Sequence, residues 1–166
     1  MNKELDLDCG RPELNFRENA RLILPAVIEE FYVCDPQSSD DPEVLHQLRI
    51  AAKRLRYSLE FFEICYGNRL TRALESIRDL QELLGGIHDC DMMVELLIAR
   101  REKLKSRENA EPILNGLEEL IDDFQKERLR LAGEFFALWK RRFSKRFKSG
   151  FLKTIDKPNL RMRANS

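Results

Sequence analysis

Apolar residues recur at three- and four-residue intervals along most of this chain, and they predict four helices separated by short polar breaks. The first runs from about Pro12 to Tyr32, with Leu22, Ile23, Ala26, Val27 and Phe31 on one face. Pro25 lies inside it and should kink it or delay its start. The stretch 35–42 reads as a loop, ending in Asp41-Pro42, a cap followed by a first-turn proline. A second helix then reaches Tyr66, where Gly67-Asn68 ends it. The third starts near Arg69 and carries Leu70, Leu74, Ile77, Leu80 and Leu84. Gly85-Gly86 should kink or break it, with Asp89 placed to cap a restart. The fourth extends from about Glu108 to Lys148, with a late aromatic seam of Phe136, Trp139, Phe143 and Phe147. These elements make an all-α, up-down four-helix bundle. Residues 1–150 form one domain, and 151–166 a basic, flexible tail.

The second helix carries more than a core seam. Leu45, Leu48, Ala52, Leu55, Leu59 and Phe62 share the inward face, while Ile50, Tyr57 and Phe61 lie nearly opposite. Between them runs a line of bases: His46, Arg49, Lys53 and Arg56, spanning about 15 Å at the helical rise. Like charges at these spacings repel. Within the line no carboxylate intervenes, and Glu60 comes one turn beyond Arg56. A phosphate polymer would relieve the repulsion, with arginine supplying planar forks and lysine a point charge. A solvated face is the plain alternative, but apolar residues on both flanks favour a groove.

Charge is segregated along the chain. Lysine plus arginine balances aspartate plus glutamate at 29 each, so the net charge is zero. Yet residues 1–45 hold four bases against eleven acids, and the chain from Lys140 onward holds ten bases against Asp156 alone. That last segment interleaves aromatics with bases, placing Arg141, Lys145 and Lys148 on one helical face and Arg142 with Arg146 on the next. Such a face could add to an anion site or touch nucleic acid nonspecifically.

Little points to catalysis. Only two histidines exist, His46 and His88. His88, Asp89 and Asp91 could form a metal-dependent phosphohydrolase site, but a histidine held by a carboxylate explains them more simply. No nucleophile elbow or phosphate-cradling glycine loop is present. The four cysteines, Cys9, Cys34, Cys65 and Cys90, stand singly and read as reduced thiols. Without a signal peptide or membrane-length apolar run, the expected location is cytoplasmic.

Two motifs carry a resemblance. His46-x-Leu48-Arg49-x-x-x-Lys53-Arg54-Leu55-Arg56-Tyr57-x-Leu59-Glu60, followed by Leu80-Gln81-x-Leu83-Leu84-Gly85-x-x-His88-Asp89-x-Asp91, resembles the CHAD (conserved histidine α-helical domain) family over roughly residues 43–98. The resemblance implies helical bundles with a basic surface that binds inorganic polyphosphate, without catalysis or cofactor. It puts His46, Arg49, Lys53, Arg54, Arg56 and His88 among the binding residues, with Arg141 and Lys145 added from the basic C-terminal segment. Arg54 departs from the stripe geometry. The family domain resembles two related bundles and this chain only one, so a homodimer covering the flank of Ile50, Tyr57 and Phe61 is expected. The rival to phosphate binding is a protein-interaction scaffold with no phosphate ligand.

Overall fold

The computed structural model describes residues 10–107 and 110–157, and within them every regular element is helical. Five α-helices follow in order: α1 (Phe16–Val33), α2 (Pro42–Phe62), α3 (Thr71–Leu104), α4 (Glu111–Arg142) and α5 (Lys145–Asp156). The all-α bundle is therefore as expected, with one more helix and different boundaries. The start expected for the fourth helix at Glu108, and the expected tail beyond Lys157, lie outside the described residues.

Local chemistry accounts for the boundaries. Asn15 accepts hydrogen bonds from the Arg17 and Glu18 amides while Glu18 reaches back to the Asn15 amide, so α1 starts four residues later than Pro12. Pro25 sits inside α1 without ending it. The Asp41 carboxylate caps α2 through the Glu43 amide, with Pro42 in its first turn. After α2, two short 3₁₀ turns, Glu63–Cys65 and Gly67–Arg69, reverse the chain. Gly67 takes φ 56°, a left-handed conformation that glycine adopts without steric cost.

Two expectations about helix continuity fail, one through a tertiary contact and one through a local cap. α3 runs unbroken through Gly85-Gly86. A Cβ on Gly86 would stand 2.9 Å from Leu131 Cδ1, so this glycine permits close approach of α4 rather than a hinge. The fourth helix, by contrast, is interrupted. It ends at Arg142, and the Ser144 hydroxyl accepts from the Phe147 amide to start α5. The expected tail is structured as far as Asp156, because Phe151 and Ile155 are buried.

The core lies among α1, α2, the first half of α3, the end of α4 and α5. Leu45, Leu48, Ala52, Leu55, Leu59 and Phe62 are all buried, as their spacing requires. Each such leucine contributes about 1.5–3 kcal/mol through removal of apolar area from water. On α1 the buried stripe is Ala20, Leu24, Val27, Ile28 and Phe31, whereas Leu22 and Ala26 are exposed. Both stripes fit a helical period, and packing against α2 and α5 selects the first. The late aromatics are core: Trp139 stacks on Phe143 at 5.1 Å, and Phe143, Phe147 and Phe151 continue the contact across the helix break. Tyr66 is fully buried, and its hydroxyl donates to the Ile155 carbonyl at 3.2 Å, tying α5 to the bundle.

Candidate functional site

Helix α2 lies against α3, and their junction is a groove of about 250 Å³. Leu45, Leu84 and Ile87 form its apolar floor, while His46, Arg49 and His88 line it with polar groups. The two histidines, 42 residues apart in the chain, face each other with ring centroids 5.5 Å apart. Each is half-buried. α2 places His46 one turn from Arg49, and α3 brings His88 across because Leu84 and Ile87 hold that stretch against the core.

The rest of the stripe continues along α2. Lys53 is exposed, and neither Arg49 nor Lys53 has an ion-pair partner among the described residues. Arg56 is the neutralised end. Its Nε lies 3.8 Å from a Glu60 carboxylate oxygen, which also accepts from Arg78 at 2.9 Å. The Arg56 guanidinium stands 4.8 Å from the centre of the Tyr57 ring. Arg54 faces elsewhere: it donates to Glu30 on α1 at 3.0 Å, and both side chains are largely buried. Its geometry is that of a strut between α1 and α2.

The other cluster, on α3, divides. Asp91 lines the groove but is bound by the Arg128 guanidinium, which also donates to the Asp40 carbonyl at 2.7 Å. Arg128 thus joins α3, α4 and the loop that leads into α2. Nothing local in the sequence marks it, since it sits among the alternating charges of α4. Asp89 is exposed. Among the described residues, no three His, Cys, Asp or Glu side chains converge as a metal ion would require. Burial pushes the Cys90 thiol above its ordinary range, and the nearby carboxylates of Glu127, Asp91 and Asp89 push it further, so it is a neutral packing group.

Arg141 and Lys145 do not join this groove. The break at Ser144 divides the face they were expected to share with Lys148. Arg141 lines a separate cleft at the α4–α5 junction, and Lys145 lines neither. Lys148 instead pairs with Glu29 at 2.6 Å and stands 5.1 Å from the centre of the Tyr32 ring.

Chemically, the groove offers two imidazoles and an arginine over an apolar floor, with an unpaired lysine farther along the same line. That arrangement can hold a run of anionic oxygens. Carboxylates of Glu43, in the first turn of α2, and of Asp91 and Glu95 on α3 border it. No helix among the described residues is long and apolar enough to cross a membrane. No curated protein and no solved structure matches the chain. The family model of the CHAD domain matches residues 17–98, from the first turn of α1 into the last third of α3 and including both histidines, and this match supports assigning the chain to the CHAD family.

Proposed function

We propose that this protein binds inorganic polyphosphate through the basic line of α2 and acts without catalysis, as a cytoplasmic binding module. The observation that carries the reading is the line itself. His46, Arg49 and Lys53 follow one another at helical spacing, His88 faces His46 at 5.5 Å, and Arg49 and Lys53 have no carboxylate partner among the described residues. The match to the CHAD family model over residues 17–98 supports it. A phosphate chain would lie along α2, its oxygens taken in turn by the imidazoles, the Arg49 fork and the Lys53 ammonium. Displaced counterions would drive binding, so affinity falls steeply with salt.

The same reading puts a second copy of the chain against the flank of α2. Ile50, Tyr57 and Phe61 are 48%, 56% and 66% exposed beside the stripe, an apolar surface that pairing would remove from water. Light scattering should give twice the chain mass, and a monomer at tens of micromolar would remove the dimer while leaving the stripe.

Binding of long-chain polyphosphate, with duplex DNA as competitor, tests the assignment over a salt series. The Arg49→Ala/Lys53→Ala double variant should lose at least about tenfold in affinity and show a shallower salt dependence. Unchanged affinity would sink the stripe as the site. Equal affinity for DNA would make it a general polyanion surface.

A further inference from the structure

A second basic cleft lies at the other end of the bundle, where the start of α3 meets the α4–α5 junction. It measures about 780 Å³, against about 250 Å³ for the α2–α3 groove, and the two share no lining residue. Five arginines line it from four successive elements: Arg69 from the 3₁₀ turn before α3, Arg72 from the start of α3, Arg141 and Arg142 from the end of α4, and Arg146 from α5. Ala73, Phe147 and Phe151 supply apolar surface, and Glu75 is the one acid in the lining.

Two of these guanidiniums are engaged. Arg142 pairs with Asp79, and Arg69 donates to the Lys157 carbonyl at the end of α5. The guanidiniums of Arg72, Arg141 and Arg146 have no hydrogen-bond or ion-pair partner among the described residues. Concentrating like charges around one concavity costs stability, and a plain solvated face would spread them. α3 also begins here without a side-chain cap, which adds partial positive charge to the same wall.

We propose that this cleft is a second anion site, separate from the α2 stripe, whose ligand is a compact molecule carrying several phosphate groups. The shape separates the two sites. The stripe is linear, with one base per turn, and suits a polymer. In the cleft the arginines converge from three directions, so phosphates distributed around a small core would meet a fork on each side. Arginine rather than lysine at every position suits bidentate capture of phosphate oxygens. The volume is that of a small-molecule site.

Titration calorimetry of the full chain with inositol hexakisphosphate at low salt tests the proposal. One equivalent should bind. Arg72→Ala/Arg146→Ala, both exposed substitutions that leave the core intact, should weaken it by at least about tenfold. Arg72→Lys/Arg146→Lys keeps charge and fold and should still lose several-fold, because the forks are gone; full affinity would mean diffuse attraction and would overturn the site. The Arg49→Ala/Lys53→Ala variant should bind inositol hexakisphosphate as the unaltered chain does, so failure of the stripe and failure of the cleft remain distinguishable. Absence of binding would overturn the proposal. So would a cleft variant that loses long-chain polyphosphate as severely as the compact probe, since the cleft would then extend the polymer's track.

Discussion

The two basic clefts of this protein hold cations in opposite ways. Along α2 the charge comes from one helix, in a line that a single period prescribes, and one histidine from α3 completes it. At the far end it comes from several elements that meet only because α4 stops at Arg142 and α5 turns back onto α1. The first is a property of a helix, the second a property of a junction. Disturbing the junction should therefore damage one cleft and spare the other.

The largest effect is expected at Tyr66. Its ring is fully buried, and its hydroxyl holds the Ile155 carbonyl of α5. Tyr66→Ala should cost about 3–5 kcal/mol of stability in denaturant unfolding, as other large aromatic truncations do. If the variant still folds, inositol hexakisphosphate binding should fall much further than polyphosphate binding. Equal losses would erase the distinction between helix and junction.

A smaller effect separates a cation that is available from one that is committed. Arg54 stands beside Lys53 and carries the same charge, yet it is paired with Glu30. Arg54→Ala should destabilise the fold by about 1–2 kcal/mol, because a half-buried carboxylate loses its partner. Polyphosphate affinity should stay within about twofold, the range expected of a charge outside the contact line. A loss as large as that of the Arg49/Lys53 double variant would return Arg54 to the binding set.

The mildest test is alkaline titration. Burial is the main push that takes the Tyr66 phenol from its ordinary 10.0 up to about 12; Cys65 and Asp156 also raise it, and Arg21 and Arg69 lower it. Its folded-state value is raised, so its contribution to stability is complete below pH 10 and is lost as pH climbs to about 12. Unfolding free energy should fall through that window, and Tyr66→Phe should flatten the fall. Burial also raises Tyr32, which should leave a residual slope. An unchanged slope in Tyr66→Phe would mean that the α5 anchor opens before the phenol ionises.

Periodicity alone specified much of this molecule. The buried seam of α2, the basic line beside it and the apolar flank opposite follow from a 3.6-residue repeat, and the structure has each where the repeat puts it. The cap of α2 at Asp41-Pro42 was equally local. So was the Asn15–Glu18 box, a readable signal that the apolar pattern overshadowed. Gly85-Gly86 and the aromatic run through Phe147 misled for one reason. Local sequence scores a glycine pair as a break and an unbroken aromatic period as one helix. Here Leu131 occupies the space beside Gly86, and a serine cap ends the period at Phe143.

What only the tertiary structure decided is who meets whom. His88 opposite His46, Arg128 taking Asp91, Arg54 withdrawn to Glu30 and five arginines around one cleft are all contacts between elements far apart in the chain. A helix's own period sets the direction of its side chains but carries no information on which neighbour fills the space they point into. That is settled when the helices pack.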